Sequence, residues 1–197
     1  MDVRTVRKPC YTKTLRLLAE AGVCVFISLK ELETKDIEFT VEVPCGGIDY
    51  LGPRVRQKGP LHASGRAELS SDTLEEIRVH GHLAVAMEAD CDRCLEPADV
   101  AVDGEFDLSY RPSRFAAPEG GEIAVDEAES DVAFYEGGGI ELNDVLREYV
   151  LLSMPMRRLC AEECKGMCPV CGQNRNLQPC DCQAKPADDR WAALKQI

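Results

Sequence analysis

Apolar and polar residues alternate over much of the first two thirds of the chain. Within residues 38–44, Phe39, Val41 and Val43 alternate with more polar neighbours. Successive side chains of a strand point to opposite faces of a sheet, so this spacing places the three apolar residues on one face. The segment is therefore predicted to be a strand with one buried and one solvated face.

Three longer segments extend the same pattern. Residues 61–69, 75–90 and 98–110 are alternating or rich in β-branched residues, and polar turns separate them. Consecutive strands this close along a chain usually pair in antiparallel fashion. The expected fold class is α+β: a mainly antiparallel sheet or a partly open barrel, then a helix, then a cysteine-rich segment with a short terminal helix.

The apolar period lengthens to that of a helix after Gly139. Asn143 is the predicted N-cap of this helix, Asp144 favours its positive N-terminal end, and Pro155 ends it. Its predicted apolar stripe consists of Leu142, Val145, Leu146, Tyr149, Val150 and Leu152.

Two other segments are predicted around this core. Residues 112–131 are rich in Pro, Gly, Ala and acidic residues, which indicates an exposed loop. A second short helix is predicted to begin at residue 188 or 189 and to end at Lys195, with Trp191 and Leu194 on its apolar side.

The net charge of −12 is unevenly distributed along the 197 residues. Residues 1–26 hold five basic and two acidic side chains, residues 27–154 hold eleven and twenty-eight, and residues 155–197 hold seven and five. We interpret these as a loosely packed N-terminal extension, an acidic β-rich core ending in a helix, and a cysteine-rich zinc-binding tail. Because an acidic body repels phosphate backbones, a basic protein is its more natural partner.

Eight of the eleven cysteines form four short pairs. In chain order the pairs are Cys91 with Cys94, Cys160 with Cys164, Cys168 with Cys171, and Cys180 with Cys182. Pro169 and Gly172 bend the third pair into a knuckle, which directs two sulfurs at one tetrahedral ion about 2.3 Å away. Because a site with four thiolates uses two pairs, the spacing predicts two structural zinc ions.

The spacing also favours one way of sharing the pairs. The loop between the third and fourth pairs is long enough to fold back and close a ribbon-like site. The first and second pairs then bind the other ion, and this site joins the middle of the chain to its tail, so that metal binding contributes to folding. The alternative places Cys160, Cys164, Cys168 and Cys171 on one ion.

Other uses of the cysteines fit less well. A disulfide framework needs an oxidising compartment, and no secretory signal with a cleavage site is apparent. A thioredoxin-type motif opens a helix, whereas the first pair runs into Glu96 and Pro97, which indicate a turn. An iron–sulfur cluster could use four of the same thiolates, but the Pro–Gly knuckle favours zinc.

Catalytic motifs are missing from the sequence. It contains no Gly-rich phosphate loop, no nucleophile elbow and no HExxH, and its three histidines, His62, His80 and His82, lack metal-site spacing. His80 and His82 are predicted to lie on a half-buried or solvated strand face. No apolar run approaches a membrane span. We expect a cytoplasmic binding protein, not an enzyme, with no membrane partner and no small-molecule substrate.

Several ordered motifs together resemble the YceD family over roughly residues 26–197. They are Ile27-Ser28-Leu29-Lys30-Glu31-Leu32, Cys91-Asp92-Arg93-Cys94-Leu95-Glu96-Pro97, Leu151-Leu152-Ser153-Met154-Pro155-Met156, Cys160-Ala161-Glu162-Glu163-Cys164-Lys165-Gly166-Met167-Cys168-Pro169-Val170-Cys171-Gly172-Gln173-Asn174-Arg175-Asn176 and the ending Asp189-Arg190-Trp191-Ala192-Ala193-Leu194. The resemblance implies a bacterial or organellar protein needed for accumulation of the large-subunit, 23S-type ribosomal RNA, acting in ribosome biogenesis and not as a known enzyme.

Two modes of action are compatible with this resemblance. In the first, the acidic body holds a basic ribosomal protein or a ribosomal precursor particle, and the zinc-binding tail supplies a rigid docking surface. In the second, the tail is an RNA-binding module that contacts large-subunit rRNA directly. The basic residues available for that contact are Arg157, Arg158, Lys165 and Arg175.

Overall fold

The computed structural model describes residues 25–50, 52, 54–70, 75–115 and 132–182, which form two compact units. The first unit contains the described residues up to Met87 together with Val100–Met154. The second contains Glu88–Asp99 and the described residues from Pro155 onward. Most of the predicted loop 112–131, the predicted terminal helix and residues 1–24 of the predicted extension lie outside the described residues.

Most of the described elements are strands. In chain order they are β1 (Phe26–Ser28), α1 (Leu29–Leu32), β2 (Ile37–Val43), β3 (Val55–Gln57), β4 (Leu61–Leu69), β5 (Ile77–Asp90), β6 (Pro97–Pro112), a 3₁₀ turn (Ser113–Phe115), β7 (Val132–Tyr135), β8 (Gly139–Glu141) and α2 (Leu142–Ser153). One sheet has the order β2-β4-β5-β6-β7, with β3 also paired to β5, and β1 pairs with β8 in a second, two-stranded sheet. None of the described helices is long and apolar enough to cross a membrane.

The four strands predicted from alternation are confirmed. In β2, Phe39, Val41 and Val43 are buried and the residues between them are exposed. β4 has the predicted bounds, β5 begins two residues later than predicted, and β6 is slightly longer than predicted at both ends. β4 pairs in antiparallel fashion with β5, as expected for strands joined by a short turn, and also with β2, from which residues 44–60 separate it.

The main sheet is mostly antiparallel, which is one of the two expected forms, but it also contains a parallel pair of strands that the sequence did not predict. β7 pairs with β6 in parallel, from Ser109 opposite Val132 to Pro112 opposite Tyr135. Parallel strands need a connection of roughly a dozen residues or more, and the chain between β6 and β7 is long enough. Composition indicated a loop there but carried no information about the strand that follows.

Two glycines lie directly opposite each other where β4 and β5 pair. A Cβ on Gly65 would lie 2.3 Å from the carbonyl oxygen of His80, and one on Gly81 would lie 2.2 Å from that of Ser64. The ring of Phe39 would also meet a Cβ on Gly65, at 2.9 Å. The two strands therefore approach too closely here for any side chain, and Phe39 packs over the gap.

Helix α2 contributes much of the first unit's core. Leu142, Val145, Leu146 and Val150 are buried, as the predicted stripe requires, and Asp144 lies in the first turn. Leu152 is 73% exposed, so its assignment to the stripe was wrong.

The predicted N-cap of α2 was also wrong. The capping residue is Glu141, in an extended conformation and without a side-chain cap, and Asn143 lies inside the first turn. The backbone N–H of Leu142 instead donates to the carbonyl oxygen of Val25, at 2.8 Å. Because β8 runs directly into α2, backbone pairing with the chain at β1 satisfies an N–H that a side chain would otherwise have to cap.

Two leucines of α2 provide a matched test of this packing. Leu146→Ala empties a fully buried position and is expected to lower the free energy of unfolding by about 2–5 kcal/mol. Leu152→Ala, on the same helix but exposed, is expected to change it by about 0.5 kcal/mol or less. Urea denaturation followed by circular dichroism measures both, and equal losses would contradict this placement of α2.

Candidate metal centres

The first cysteine pair lies in a tight turn between two long strands, as predicted. β5 ends at Asp90 and β6 begins at Pro97. The backbone N–H of Cys91 donates to the carbonyl oxygen of Glu96 at 2.8 Å, and that of Leu95 donates to the carbonyl oxygen of Cys91 at 2.9 Å. Leu95 adopts a positive φ of 63°, which lets the chain reverse within these few residues.

Four thiols meet at this turn, and we call them the buried cluster. They belong to Cys91, Cys94, Cys160 and Cys164, and their sulfur atoms all lie within 4.8 Å of one another. The Sγ atoms of Cys91 and Cys164 are 3.8 Å apart, and those of Cys94 and Cys160 are 3.5 Å apart. A tetrahedral ion with metal–sulfur bonds of about 2.3 Å holds its sulfurs about 3.8 Å apart, so the cluster fits one ion.

Charged side chains of the turn bind the chain that follows α2. The Asp92 carboxylate accepts the backbone N–H of Arg158 at 2.6 Å and pairs with its guanidinium at 3.2 Å. These bonds from Arg158, its backbone N–H first, lower the pKa of Asp92. Arg93 donates from Nη1 to the carbonyl oxygen of Cys164 at 2.8 Å, and its own carbonyl oxygen accepts the N–H of Met167. The second pair is thereby held beside the first.

Backbone N–H groups stabilise the ionised form of one of these thiols, that of Cys91. Burial opposes the charged form of Cys91, but hydrogen bonds from the backbone N–H groups of Cys160, Arg93 and Cys94 outweigh it and lower the pKa of the thiol to about 6. Burial raises the pKa of Cys94 to about 12, and hydrogen bonds to the neighbouring thiols act in the same direction. Cys91 is thus a ready anionic ligand at neutral pH.

The remaining four thiols form a second group, the exposed cluster. They belong to Cys168, Cys171, Cys180 and Cys182, again with sulfur atoms within 4.8 Å of one another. The predicted knuckle is present: Gly172 has φ 74°, and its N–H donates to the carbonyl oxygen of Cys168 at 2.9 Å. Backbone N–H groups of Cys171 and Val170 donate to the Cys168 sulfur and lower its pKa to about 6.

The structure groups the eight cysteines in the way that their spacing favoured. The alternative partition, with the second and third pairs on one ion, is not the grouping found. Each cluster offers four thiols, enough to complete a tetrahedral coordination shell without an open position. Either group can therefore hold a metal ion in a structural manner.

The four basic residues considered for RNA contact all lie in the second unit, in different settings. Arg157, Lys165 and Arg175 are exposed. Arg158 is half-buried and paired with Asp92, so its charge is partly neutralised within the unit. The favoured pairing predicted that the first cysteine pair joins the tail, but the charge count by segment placed Glu88–Asp99, with one basic and five acidic side chains, in the core and not with the tail. With that segment included, the unit is net acidic.

Two asparagines after the knuckle were missed as functional residues. Asn176 accepts the N–H of Lys165 through Oδ1 at 2.7 Å and donates from Nδ2 to the sulfur of Cys164 at 3.2 Å. Asn174 donates from Nδ2 to the carboxylate of Glu96 at 3.2 Å. The sequence feature that could have identified them is the presence of two asparagines in a short polar loop, because Asn side chains in loops often bond backbone groups.

The solvent face of the main sheet is rich in acid, and we call it the carboxylate face. Its charged members include Glu38, Glu42, Glu68, Asp103, Glu105 and Asp107, with Arg66, Arg78 and Arg111, and Arg111 pairs with Glu76. Arg78 holds Asp107 at 2.6 Å, and His82 lies 2.9 Å from Asp103. His82 is exposed and His80 half-buried, as predicted for a solvated strand face.

An α+β protein with two four-cysteine clusters is thus the class that fold and site define. The chain belongs to the YceD family, described as large ribosomal RNA subunit accumulation protein YceD, whose family model matches residues 79–197. The matched region is more than half of the chain and contains all eight clustered cysteines.

Two bacterial relatives match longer stretches of the chain than the family model does. Uncharacterized protein YlbN of Bacillus subtilis (strain 168) is 25% identical over 171 residues, which cover 86% of this chain and 92% of that protein. Uncharacterized protein Rv2926c of Mycobacterium tuberculosis is 30% identical over 125 residues, 62% of this chain and 56% of that protein. The chain thus spans about half of the mycobacterial relative.

A plant relative has a descriptive name. The large ribosomal RNA subunit accumulation protein YCED homolog 1, chloroplastic, of Arabidopsis thaliana is 33% identical over 58 residues, 29% of this chain and 18% of that protein. No solved structure matches the chain significantly.

Metal analysis of cysteine variants tests the two centres. The purified wild type is expected to hold two ions, Cys91→Ser and Cys180→Ser one each, and the double variant none, because each substitution removes a ligand from a different cluster. Cys45→Ser, which removes an exposed thiol outside both clusters, is the control and keeps two. Full metal content in either single variant would contradict the assignment.

Proposed function

We propose that this protein supports accumulation of 23S-type ribosomal RNA in the cytoplasm by binding a large-subunit precursor particle, without catalysing a reaction. The observation that carries the proposal is the family match, which spans both cysteine clusters. The chloroplastic relative of the same description supports it.

Zinc is the ion that we assign to both clusters. All-thiolate tetrahedral sites suit zinc or iron–sulfur chemistry, and zinc is the ion that four separate thiolates bind without an inorganic sulfide. Cys91 and Cys168, whose thiols have a pKa of about 6, supply one anionic ligand to each site before metal binding. Four sulfurs per ion leave no position for a substrate, which supports a structural role over a catalytic one.

The metal has a clear structural task in the second unit. Among the described residues of this unit, the buried hydrophobic side chains that pack together are Cys91, Cys94, Ala98 and Cys164, with Leu159 against them. So few apolar side chains contribute little hydrophobic stabilisation, and small units of this kind usually depend on metals or disulfides. Coordination of zinc by the thiols replaces the missing core and holds the surface of the unit rigid for docking.

The carboxylate face indicates the chemistry of the partner. These six carboxylates outnumber the three arginines, one of which is already paired with Glu76, so the face has an excess of negative charge when the histidines are neutral. Such a surface attracts basic proteins and repels phosphate backbones. We therefore assign the contact with the precursor particle to a basic ribosomal protein.

Direct RNA binding by the second unit is the competing proposal. Its support is the exposure of Arg157, Lys165 and Arg175. The excess of acidic side chains in Glu88–Asp99 counts against it, because that segment adds negative charge to the same unit.

The family role predicts a ribosomal phenotype. Cells without this gene are expected to have a lower ratio of large- to small-subunit ribosomal RNA and fewer large subunits in sucrose gradients. A plasmid carrying the wild-type gene should restore both. An unchanged ratio would contradict the proposed role.

Neutralising the carboxylate face tests the partner. Replacing Glu38, Glu42 and Glu105 with Gln is expected to weaken association with large-subunit particles by roughly tenfold, since each exposed charge contributes about 0.5 kcal/mol. The control carries the same charge change at three exposed residues off this face, Glu33, Glu136 and Glu141. Equal binding by the two triple variants in particle sedimentation assays would rule out this face as the contact.

The salt dependence of binding distinguishes direct contact with RNA from contact with a basic protein. If the second unit contacts RNA, replacing Arg157, Lys165 and Arg175 with Ala should flatten the log–log salt dependence of binding to naked large-subunit rRNA by roughly two units, about 0.7 per lost phosphate contact. Under our proposal, this variant retains particle association, and neither protein shows a steep salt dependence on naked RNA.

A further inference from the structure

Asn176 belongs to the loop of one cluster and contacts the other. It lies between Cys171 and Cys180, in the segment that the exposed cluster closes. Its side-chain Nδ2 is 3.2 Å from the sulfur of Cys164, a member of the buried cluster. Among the described residues, this is the hydrogen bond that joins the loop of the exposed cluster to a thiol of the buried cluster.

The orientation of this amide follows from its other bond. The backbone N–H of Lys165 lies 2.7 Å from Oδ1 of Asn176. Because an N–H can only donate, the carbonyl end of the amide must face Lys165, and the NH₂ end must face the sulfur. A donor is therefore aimed at a ligand atom of the buried cluster, where it stabilises the negative charge of a coordinated thiolate.

Backbone contacts fix the loop that carries this donor. The N–H of Arg175 donates to the carbonyl oxygen of Gly166 at 2.9 Å, and Met167 pairs with Asn174 in an isolated β-bridge. The N–H of Asn176 also donates to Oδ1 of Asn174 at 2.9 Å. Gly166 has φ 70°, and a Cβ there would lie 3.0 Å from the carbonyl oxygen of Arg93, so the segment to which the loop is bonded is packed tightly against the first turn.

We propose that Asn176 is a positioning residue that couples the two metal centres, so that zinc in the exposed cluster raises the zinc affinity of the buried cluster. This inference rests on the zinc sites proposed above. When the four thiols of the exposed cluster share an ion, both ends of the loop are held, and Asn176 is kept within reach of Cys164. Without that ion the loop has more conformational freedom, and ordering it for this bond costs entropy.

The coupling free energy is the same in both directions, but zinc is expected to leave the exposed cluster before the buried cluster. Three of the four cysteines in the buried cluster are buried, whereas in the exposed cluster only Cys168 is. A chelator therefore reaches the exposed cluster first. When the exposed cluster loses zinc, Asn176 is held less firmly beside Cys164, and the zinc affinity of the buried cluster falls. The zinc content of the two clusters therefore decreases together when zinc is scarce.

A double-mutant cycle on the full-length protein tests the coupling. Zinc is titrated against a fluorescent chelator for the wild type, Asn176→Ala, the pair Cys180→Ser with Cys182→Ser, and the combination. Asn176→Ala is expected to lower the zinc affinity of the buried cluster by about tenfold, as losses of hydrogen bonds to metal ligands do. In the serine background, where that affinity is already reduced, the same substitution should lower it by less than about threefold.

Two further variants keep the result interpretable. Asn176→Asp preserves the acceptor for the Lys165 N–H but cannot donate to Cys164, and it replaces Asn176→Ala in the cycle if the alanine variant does not fold. Gln173→Ala removes a loop side chain that bonds Gln178, and it is expected to leave both affinities unchanged.

Equal effects of the Asn176 substitution in the two backgrounds, or no effect in either, would overturn the coupling. Wild-type protein that binds no zinc would instead overturn the zinc sites themselves. The first titration thus separates a failure of the proposed sites from a failure of this inference.

Discussion

The clustering of thiols is the constraint on which the second unit depends. Among its described residues the buried hydrophobic cluster consists of Cys91, Cys94, Ala98 and Cys164, too little apolar surface to hold a chain of this length together. Sulfur–sulfur distances near 3.8 Å are those of the edges of a metal–thiolate tetrahedron. With the zinc sites proposed above, metal coordination and folding are one process in this unit, while the first unit folds around an ordinary apolar core.

The turn that carries the first cysteine pair shows how the strands serve this constraint. β5 and β6 leave only six residues between Asp90 and Pro97, and the positive φ of Leu95 and two backbone hydrogen bonds close them into a turn. The backbone N–H of Cys160, together with those of Arg93 and Cys94 in the turn, bonds the sulfur of Cys91 and lowers its pKa. The ends of β5 and β6 thus hold Cys91 and Cys94 in place. The Asp92–Arg158 ion pair holds the segment that leads to Cys160 and Cys164.

Charge and coordination together define what the protein can do. If both clusters bind zinc as proposed, four thiolates complete each coordination shell, and the ions organise surfaces. The carboxylate face carries an excess of acid, and the second unit is net acidic once Glu88–Asp99 is counted with the tail. The chain belongs to a family named for accumulation of large-subunit ribosomal RNA, and the acidic face supports our proposal that the partner is a basic protein of the particle.

Residue spacing alone determined the bounds of β4, the buried residues of β2, most of the stripe of α2 and the four cysteine pairs, because these depend on short-range periodicity and local turns. Spacing favoured the grouping of the pairs but left an alternative open. Only the tertiary structure decided the parallel pairing of β7, the exposure of Leu152, the backbone partner of Leu142 and the bond from Asn176 to Cys164. Each of these joins segments distant along the chain, and which segments meet depends on packing and backbone hydrogen bonding that no local pattern encodes.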